Sequence, residues 1–454
     1  MSRPSAPFKP YQPPVRQRGQ ALVYGLFMLI FGLASLFFMF NTGQLTAEKT
    51  KLVNTADAVA YSAAVMHARA LNFDAYTNRA LVANEMTIAQ MVSLKSWLDY
   101  AKNHTTSITP LYCNSYTNVP AALLLDHYTP LCMALAYIGP AVYVNAADTV
   151  ATPIMQGTVI ASEVAKIALQ AAQVTMFATF VQARSQVMQE VADANYVNDG
   201  TVKVDTIPLT DNYLLFDGQP FISPYTGNDR KRMADLETKA VGNEKFLSDR
   251  GWSDSSLIKC SLLTPIPSGN ASHTFSTQLN GLDSWEATDR ARITTERWKK
   301  GSGIFSIPKC RSDVSYGLGS GAKAARTHPF GNDWQYSGVP SFFELSSKAL
   351  AYGPGNSDPD KKEARLQFAI RLTRAKAEQR TSAGTSDIRP AGRLAIFSGD
   401  QAKDVMAAVA TSEVFFDRMD GVKELGSLFN PYWHAHLVGN SAAVTAAATA
   451  LQEP

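Results

Sequence analysis

Twenty consecutive positions, Ala21 to Phe40 (ALVYGLFMLIFGLASLFFMF), carry neither charge nor proline. At 1.5 Å per residue a helix of this length spans roughly 30 Å, the thickness of a bilayer's hydrocarbon core. The run predicts a transmembrane helix. A cleaved secretory leader has a shorter apolar stretch followed by a small-x-small site. Phe40-Asn41-Thr42-Gly43 fits such a site poorly, so the run reads as an uncleaved signal anchor. The densest later stretch, Ile167 to Val181, is broken by Gln170, Gln173, Thr175 and Thr179, so a single crossing is expected.

Past the run the helical pattern continues as a narrow stripe. Leu45, Leu52, Val59, Met66 and Phe73 recur every seven residues, with Ala56, Ala63 and Ala70 at the alternate seam position. This predicts one long helix reaching about Lys102, with Asn41-Thr42-Gly43 as a candidate kink. A second series, Ile160, Val164, Ile167, Ala171, Val174, Ala178, Val181 and Met188, steps by four and three with Ser185 in its one gap. The two stripes are expected to pack against each other as an antiparallel hairpin. Residues 103–153 between them hold Cys113, Cys132 and several prolines and read as a disulfide-closed cap.

From about Val197 the texture turns to Gly, Asn, Asp, Ser and Pro with short β-like runs. Strands are expected at 256–263, 273–279, 292–296 and 303–308, a helix over 230–249, and loops at 317–321 and 353–361. Leu366, Phe368, Ile370 and Leu372 alternate with Gln367, Ala369 and Arg371, the pattern of a half-buried strand. Strands are also expected at 394–397 and 413–416, and the Ala-rich end, 441–452, reads as a short helix or a frayed terminus. The expected fold class is α+β. A single N-terminal transmembrane helix continues into a long helical stalk or hairpin, followed by a β-rich, disulfide-stapled C-terminal domain. The division is a tail over 1–20, the membrane helix over 21–40, the hairpin over 41–196, the α+β domain over 197–440 and a tail over 441–454.

Charge orients this arrangement. Arg3, Lys9, Arg16 and Arg18 precede the apolar run with no acid among them. Positive flanks stay cytoplasmic, so the bulk of the chain is expected in the periplasm, anchored in a bacterial inner membrane. The proline-rich first 18 residues read as a disordered cytoplasmic tail. A net charge of +3 does not point to a nucleic-acid partner. The four cysteines then lie in an oxidising compartment, where pairing is expected. Chain order suggests Cys113–Cys132 and Cys260–Cys310, among the three connectivities that four cysteines allow.

Signatures of chemistry are weak. There is no G-x-S-x-G, H-E-x-x-H or P-loop. Gly317-Leu-Gly-Ser-Gly-Ala lacks the last glycine of a dinucleotide fingerprint. Asp313-Val-Ser315-Tyr-Gly317 lacks one hydroxyl ligand of an adhesion-type metal motif. His434-Ala-His436 would set two imidazoles on one face of a strand, with no clustered third ligand. No catalytic set, cofactor or metal site is expected, and the chain reads as a structural protein, not an enzyme. Asn72, Asn78, Arg79 and Asn84 mix into the apolar first helix either as satisfied core amides or as a polar contact surface for another helix. The candidate interaction residues are Leu52, Val59, Met66, Asn72, Asn78, Arg79 and Asn84. A charge at Val59 or Met66 is expected to abolish assembly without stopping membrane insertion.

Arg16-Gln-Arg18-Gly19-Gln20-Ala21-Leu22, the apolar run, and Lys49-x-Lys51-Leu52-x-Asn54-Thr55-Ala56-Asp57-Ala58 together resemble the N-terminus of TadE/TadG-like proteins of the tight-adherence, Flp-type pilus system. The stretches 68–80 (ARALNFDAYTNRA) and 424–433 (ELGSLFNPYW) resemble a longer TadG-like subgroup. The resemblance implies a membrane-anchored structural role in pilus assembly, by protein–protein contact in the periplasm. Its implied partners are membrane lipid, other pilus-assembly or pilin-like proteins, and further copies through the helical stalk. The alternative is a minor pilin or tip adhesin displayed outside the cell, with the β-rich domain as a binding module. Gly19 is the candidate prepilin-peptidase site. The family's substrates carry Glu five residues later, where this chain has Tyr24.

Overall fold

The computed structural model describes residues 20–106, 139–207, 209–257, 259–262, 268–300, 306–353, 356–375, 378 and 405–451. Helix α1, Gln20–Thr106, runs unbroken for 87 residues, through Asn41-Thr42-Gly43 as well. No proline interrupts the segment, and the hydroxyls of Thr42, Thr46 and Thr50 each bond the carbonyl four residues earlier at 2.8 Å. Helix α2, Pro140–Asn195, opens with proline at its start after Gly139 in the left-handed region (φ 66°). Residues 140–153, expected in the cap, are therefore the first turns of α2, and 103–106 are the end of α1. Residues 107–138 of that cap, with Cys113 and Cys132, lie outside the described residues.

The two helices are antiparallel in constant register. Lys102 and Lys95 meet Asp148 at 3.0 and 2.9 Å, and Lys166 meets Glu85 at 2.5 Å. Gln173 bonds Asn78 at 2.7 Å and Arg184 bonds His67 at 2.9 Å. Lys51 sits over the ring of Tyr196. Most of the α1 stripe is interior: Leu45, Leu52, Ala56, Val59, Ala63 and Ala70 are buried and Met66 is half-buried, while Phe73 is exposed. The α2 stripe is not. Ile160, Val164, Ile167 and Val174 are 55–62 % exposed, and the face turned to α1 carries Ser162, Lys166, Gln173, Phe180, Arg184 and Met188. The hairpin is as expected, but its second stripe faces away from the first. The apolar stripe of α1 is covered largely by strands from later in the chain, which periodicity alone cannot foresee.

Those strands form three sheets. The first has the order β1 (Val202–Thr206), β9 (Leu366–Ala375), β10 (Val405–Phe416), β11 (Trp433–Val438), all antiparallel. One face packs on the lower part of α1 through Phe368, Ile370, Leu372, Ala408 and Ala410. The other face, with Ala369 and Val409, is covered by Val444 and Ala448 of the terminal helix, Ala442–Ala450. That helix is held at its start by Ser441, whose hydroxyl accepts from the Val444 amide. With both faces covered, β10 reads as a continuous buried run rather than an alternating one.

The second sheet is the pair β2 (Ile222–Tyr225) and β8 (Phe342–Leu345). The third has the order β3 (Trp252–Ser255), β4 (Ser268–Asn280), β5 (Ser284–Lys299), β6 (Lys309–Arg326), β7 (Trp334–Gln335), with only β6–β7 parallel. It packs on the upper part of α1, where Ile88, Val92 and Leu98 join Trp285, Ala287 and Ala325. The β-rich C-terminal half thus lies along α1.

The runs expected at 273–279 and 292–296 fall inside β4 and β5, while β3 ends before the run expected at 256–263. Ser306–Pro308 is not strand, and 394–397 lies outside the described residues. The loop expected at 317–321 is instead the middle of β6. Gly319 and Gly321 serve close approach: a Cβ on Gly321 would lie 1.9 Å from the Ser96 carbonyl oxygen and 2.6 Å from the Tyr100 amide, both on α1. The Cys260–Cys310 disulfide ties the segment after β3 to the start of β6, with Cα atoms 6.0 Å apart.

Candidate functional site

The chemistry of this chain concentrates where α1, α2 and the sheets meet. Asn78 is fully buried and uses its whole amide. Its Nδ2 donates to the carbonyls of Phe343 (2.8 Å) and Leu428 (2.6 Å), and its Oδ1 accepts from Gln173 Nε2. Asn72 makes a reciprocal pair with the backbone of Trp433, donating to its carbonyl and accepting from its amide, each at 3.0 Å. An amide in this position acts as an extra strand residue alongside β11. Both asparagines join α1 to the C-terminal half of their own chain.

Higher on α1, Glu85 and Lys166 form an ion pair with both side chains fully buried. Glu85 Oε2 also accepts from Trp285 Nε1 (2.7 Å) and Tyr336 OH (2.8 Å). Lys166 donates to Glu163 and to the Gly338 carbonyl. Burial raises the Glu85 carboxyl while Lys166 and these donors pull it back. The Arg184 guanidinium, 2 % exposed, grips both oxygens of Asp211 and donates to His67 Nε2. Burial, then this neighbouring charge, holds the His67 ring well below its ordinary pKa, so it sits there neutral. Arg250 and Ser96 both bond Asp289, fixing α1 to β5.

Among the described residues two buried carboxyls have no hydrogen-bond partner. Both Asp74 oxygens are unpaired, and burial, reinforced by Glu344, pushes the group up to about 8. Glu237 is raised well above its ordinary value by burial and by Glu85. Each is held in its neutral form inside the fold.

The remaining candidate residues divide by exposure. Leu52 and Val59 are in the central core and Met66 packs against it. Asn84 is half-buried and bonds the Ala80 carbonyl of its own helix, and Arg79 is exposed. Of the seven interaction candidates, only Arg79 projects from the surface. Sequence reasoning gave no site role to Glu85, Lys166, Gln173 or Arg184. A signal was present: Glu163, Lys166 and Arg184 are the only charges between Thr149 and Val187, and all turn to the α1 side.

His434 and His436 share a face of β11 and flank the Phe415 ring; His436 Nε2 lies 3.2 Å from Glu413 Oε1. Asp313 is taken by Arg297 (2.9 Å) and Lys299 (2.5 Å). Among the described residues no group of three or more His, Cys, Asp or Glu is placed to hold a metal ion.

Among the described residues two helices are long and apolar enough to cross a membrane. The first is α1, whose apolar window is exposed all round; the second is α2, whose window is mostly exposed. The first of these windows coincides with a family match. Residues 19–66 match the model described as "Putative Flp pilus-assembly TadE/G-like". The N-terminal segment is TadE/G-like. The match spans the exposed apolar run and the first turns of α1 that enter the core. No curated protein and no solved structure matches the chain.

Proposed function

We propose that this chain is a membrane-anchored structural component of Tad-type pilus assembly. It acts by protein–protein contact on the periplasmic side of a bacterial inner membrane. The observation that carries the reading is the coincidence of the TadE/G-like match with a fully exposed apolar run on a single rigid helix. A helix that is bare for about 30 Å and then enters a protein core has an anchor at one end and a scaffold at the other. Lys and Arg before the run set the tail inside and the folded part outside.

Contact rather than catalysis is supported by how the polar groups are used. Around α1, Asn72, Asn78, Glu85, Lys166, Gln173 and Arg184 are committed to other side chains and to backbone groups, which fixes the fold. Outward groups include the α2 stripe and, on α1, Tyr76 (63 % exposed) with Arg79. Tyrosine and arginine are common anchors of protein interfaces. Fusing a periplasm-active reporter and a cytoplasm-active reporter to the C-terminus tests the placement. Activity of the periplasmic reporter alone, in cells that lose their pili when the gene is deleted, is expected. Activity of the cytoplasmic reporter, or normal piliation without the chain, overturns the reading.

A further inference from the structure

Helix α2 shows the outside a seam that nothing in its own chain covers among the described residues. One series is Ile160, Ile167, Val174 and Val181; the alternate one is Val164, Ala171 and Ala178. Tyr143 and Val150, 63 and 64 % exposed, extend the alternate series toward the start of the helix. From Tyr143 to Val181 the seam is about 57 Å long. A strict seven-residue repeat is the spacing of a coiled-coil seam, narrower than the stripe a helix turns to a globular core. The seam ends where helical drift of about 20° per heptad carries it inward, at Met188, which is 1 % exposed.

Lipid does not account for the seam. His67 faces Arg184 and Lys102 faces Asp148, so the seam lies beside residues 67–102 of α1. Along a helix these positions stand about 40 to 90 Å beyond Phe40, clear of the bilayer that α1 would cross. The occupant is another helix.

We propose that two copies of this chain pair through the outward face of α2, parallel and in register. The seam and its flanks from Ile160 to Val181 carry no exposed charge, because Glu163 and Lys166 turn to the α1 side. A two-fold contact sets a surface against itself, so a charge there would meet its like. An uncharged face is what such pairing requires, and it offers a charged partner no complementary handle. Alanine at 171 and 178 lets two such helices come close along the seam. The parallel direction rests on the proposed anchoring. Two copies standing in one membrane carry α2 in the same direction and at the same height, so each seam residue meets its own counterpart.

Variants of the full chain that each add one cysteine, Ile160→Cys, Ala171→Cys and Val181→Cys, oxidised mildly in native membranes, test this. The wild-type chain under the same treatment is the baseline. All three variants are expected to give a reducible species at twice the mass of the chain. Cross-linking of Ala171→Cys alone means antiparallel pairing and overturns the proposal. No cross-link above baseline, or an adduct with a different protein, overturns it as well. Adding Ile167→Asp and Val174→Asp, both at exposed positions, is expected to abolish the Ala171→Cys product, and its persistence overturns the seam. Alkaline extraction of the same membranes reads the anchoring separately, since release of the chain contradicts the anchor whatever the cross-links show.

Discussion

Gly321 and Gly317 sit four residues apart in one strand and have opposite constraints. A Cβ on Gly321 would strike backbone atoms of Ser96 and Tyr100, whereas nothing lies within 4 Å of one on Gly317. Gly321→Ala should cost about 3 kcal/mol or more in a denaturant titration, because neither backbone can yield without moving β6 off α1. Gly317→Ala should be close to neutral. Asp74 gives a second residue-scale expectation. Its folded-state value of about 8 exceeds the ordinary 3.8, so between those values the folded state binds more protons than the unfolded one. Stability from this group is fully present below the unfolded value and falls as pH rises toward 8, by up to about 1.4 kcal/mol per unit. Asp74→Asn keeps the shape and removes the titration. It should raise the melting temperature at pH 7.5 and leave it unchanged near pH 4. An equal gain at both pH values would show that Asp74 does not titrate in this range.

At the scale of elements, what could be read from sequence was what one element settles alone. The heptad spacing of Leu45 to Phe73 and of Ile160 to Val181 was enough for two long helices, and the alternation at 366–372 for a strand. Which face of each helix is covered depends on strands that arrive more than a hundred residues later. The α2 stripe was therefore assigned inward, and the polar face that actually meets α1 was passed over. The β6 glycines read as a loop because glycine usually marks turns, and only the nearness of α1 shows their other use. The asparagines were recognised as unusual, and their partners in Trp433, Phe343 and Leu428 were not, since backbone carbonyls leave no trace in a sequence. One expectation changes in consequence. Val59 is fully buried in the core shared by both halves of the chain. Val59→Asp should unfold that core, because an unpaired charge there costs several kcal/mol. Limited proteolysis should show cleavage throughout residues 197–451 of the variant. A variant as resistant as the wild type would place Val59 outside the core.

The molecule as a whole is a helix that is bare at one end and sheathed at the other. Its polar residues lock the sheath in place, and its outward apolar seam stands well above the bare end. This division supports an anchored scaffold whose contacts are made at a fixed height over the membrane. The departure at Tyr24 from the glutamate of processed pilins agrees with a chain that keeps its N-terminus and stays in the membrane. The most direct measurement is the intact mass of the chain in separated inner-membrane and sheared-pilus fractions. Full-length mass confined to the inner membrane is the predicted result. A mass lacking residues 1–19, recovered from the sheared filaments, would contradict the account and make the chain a pilus subunit.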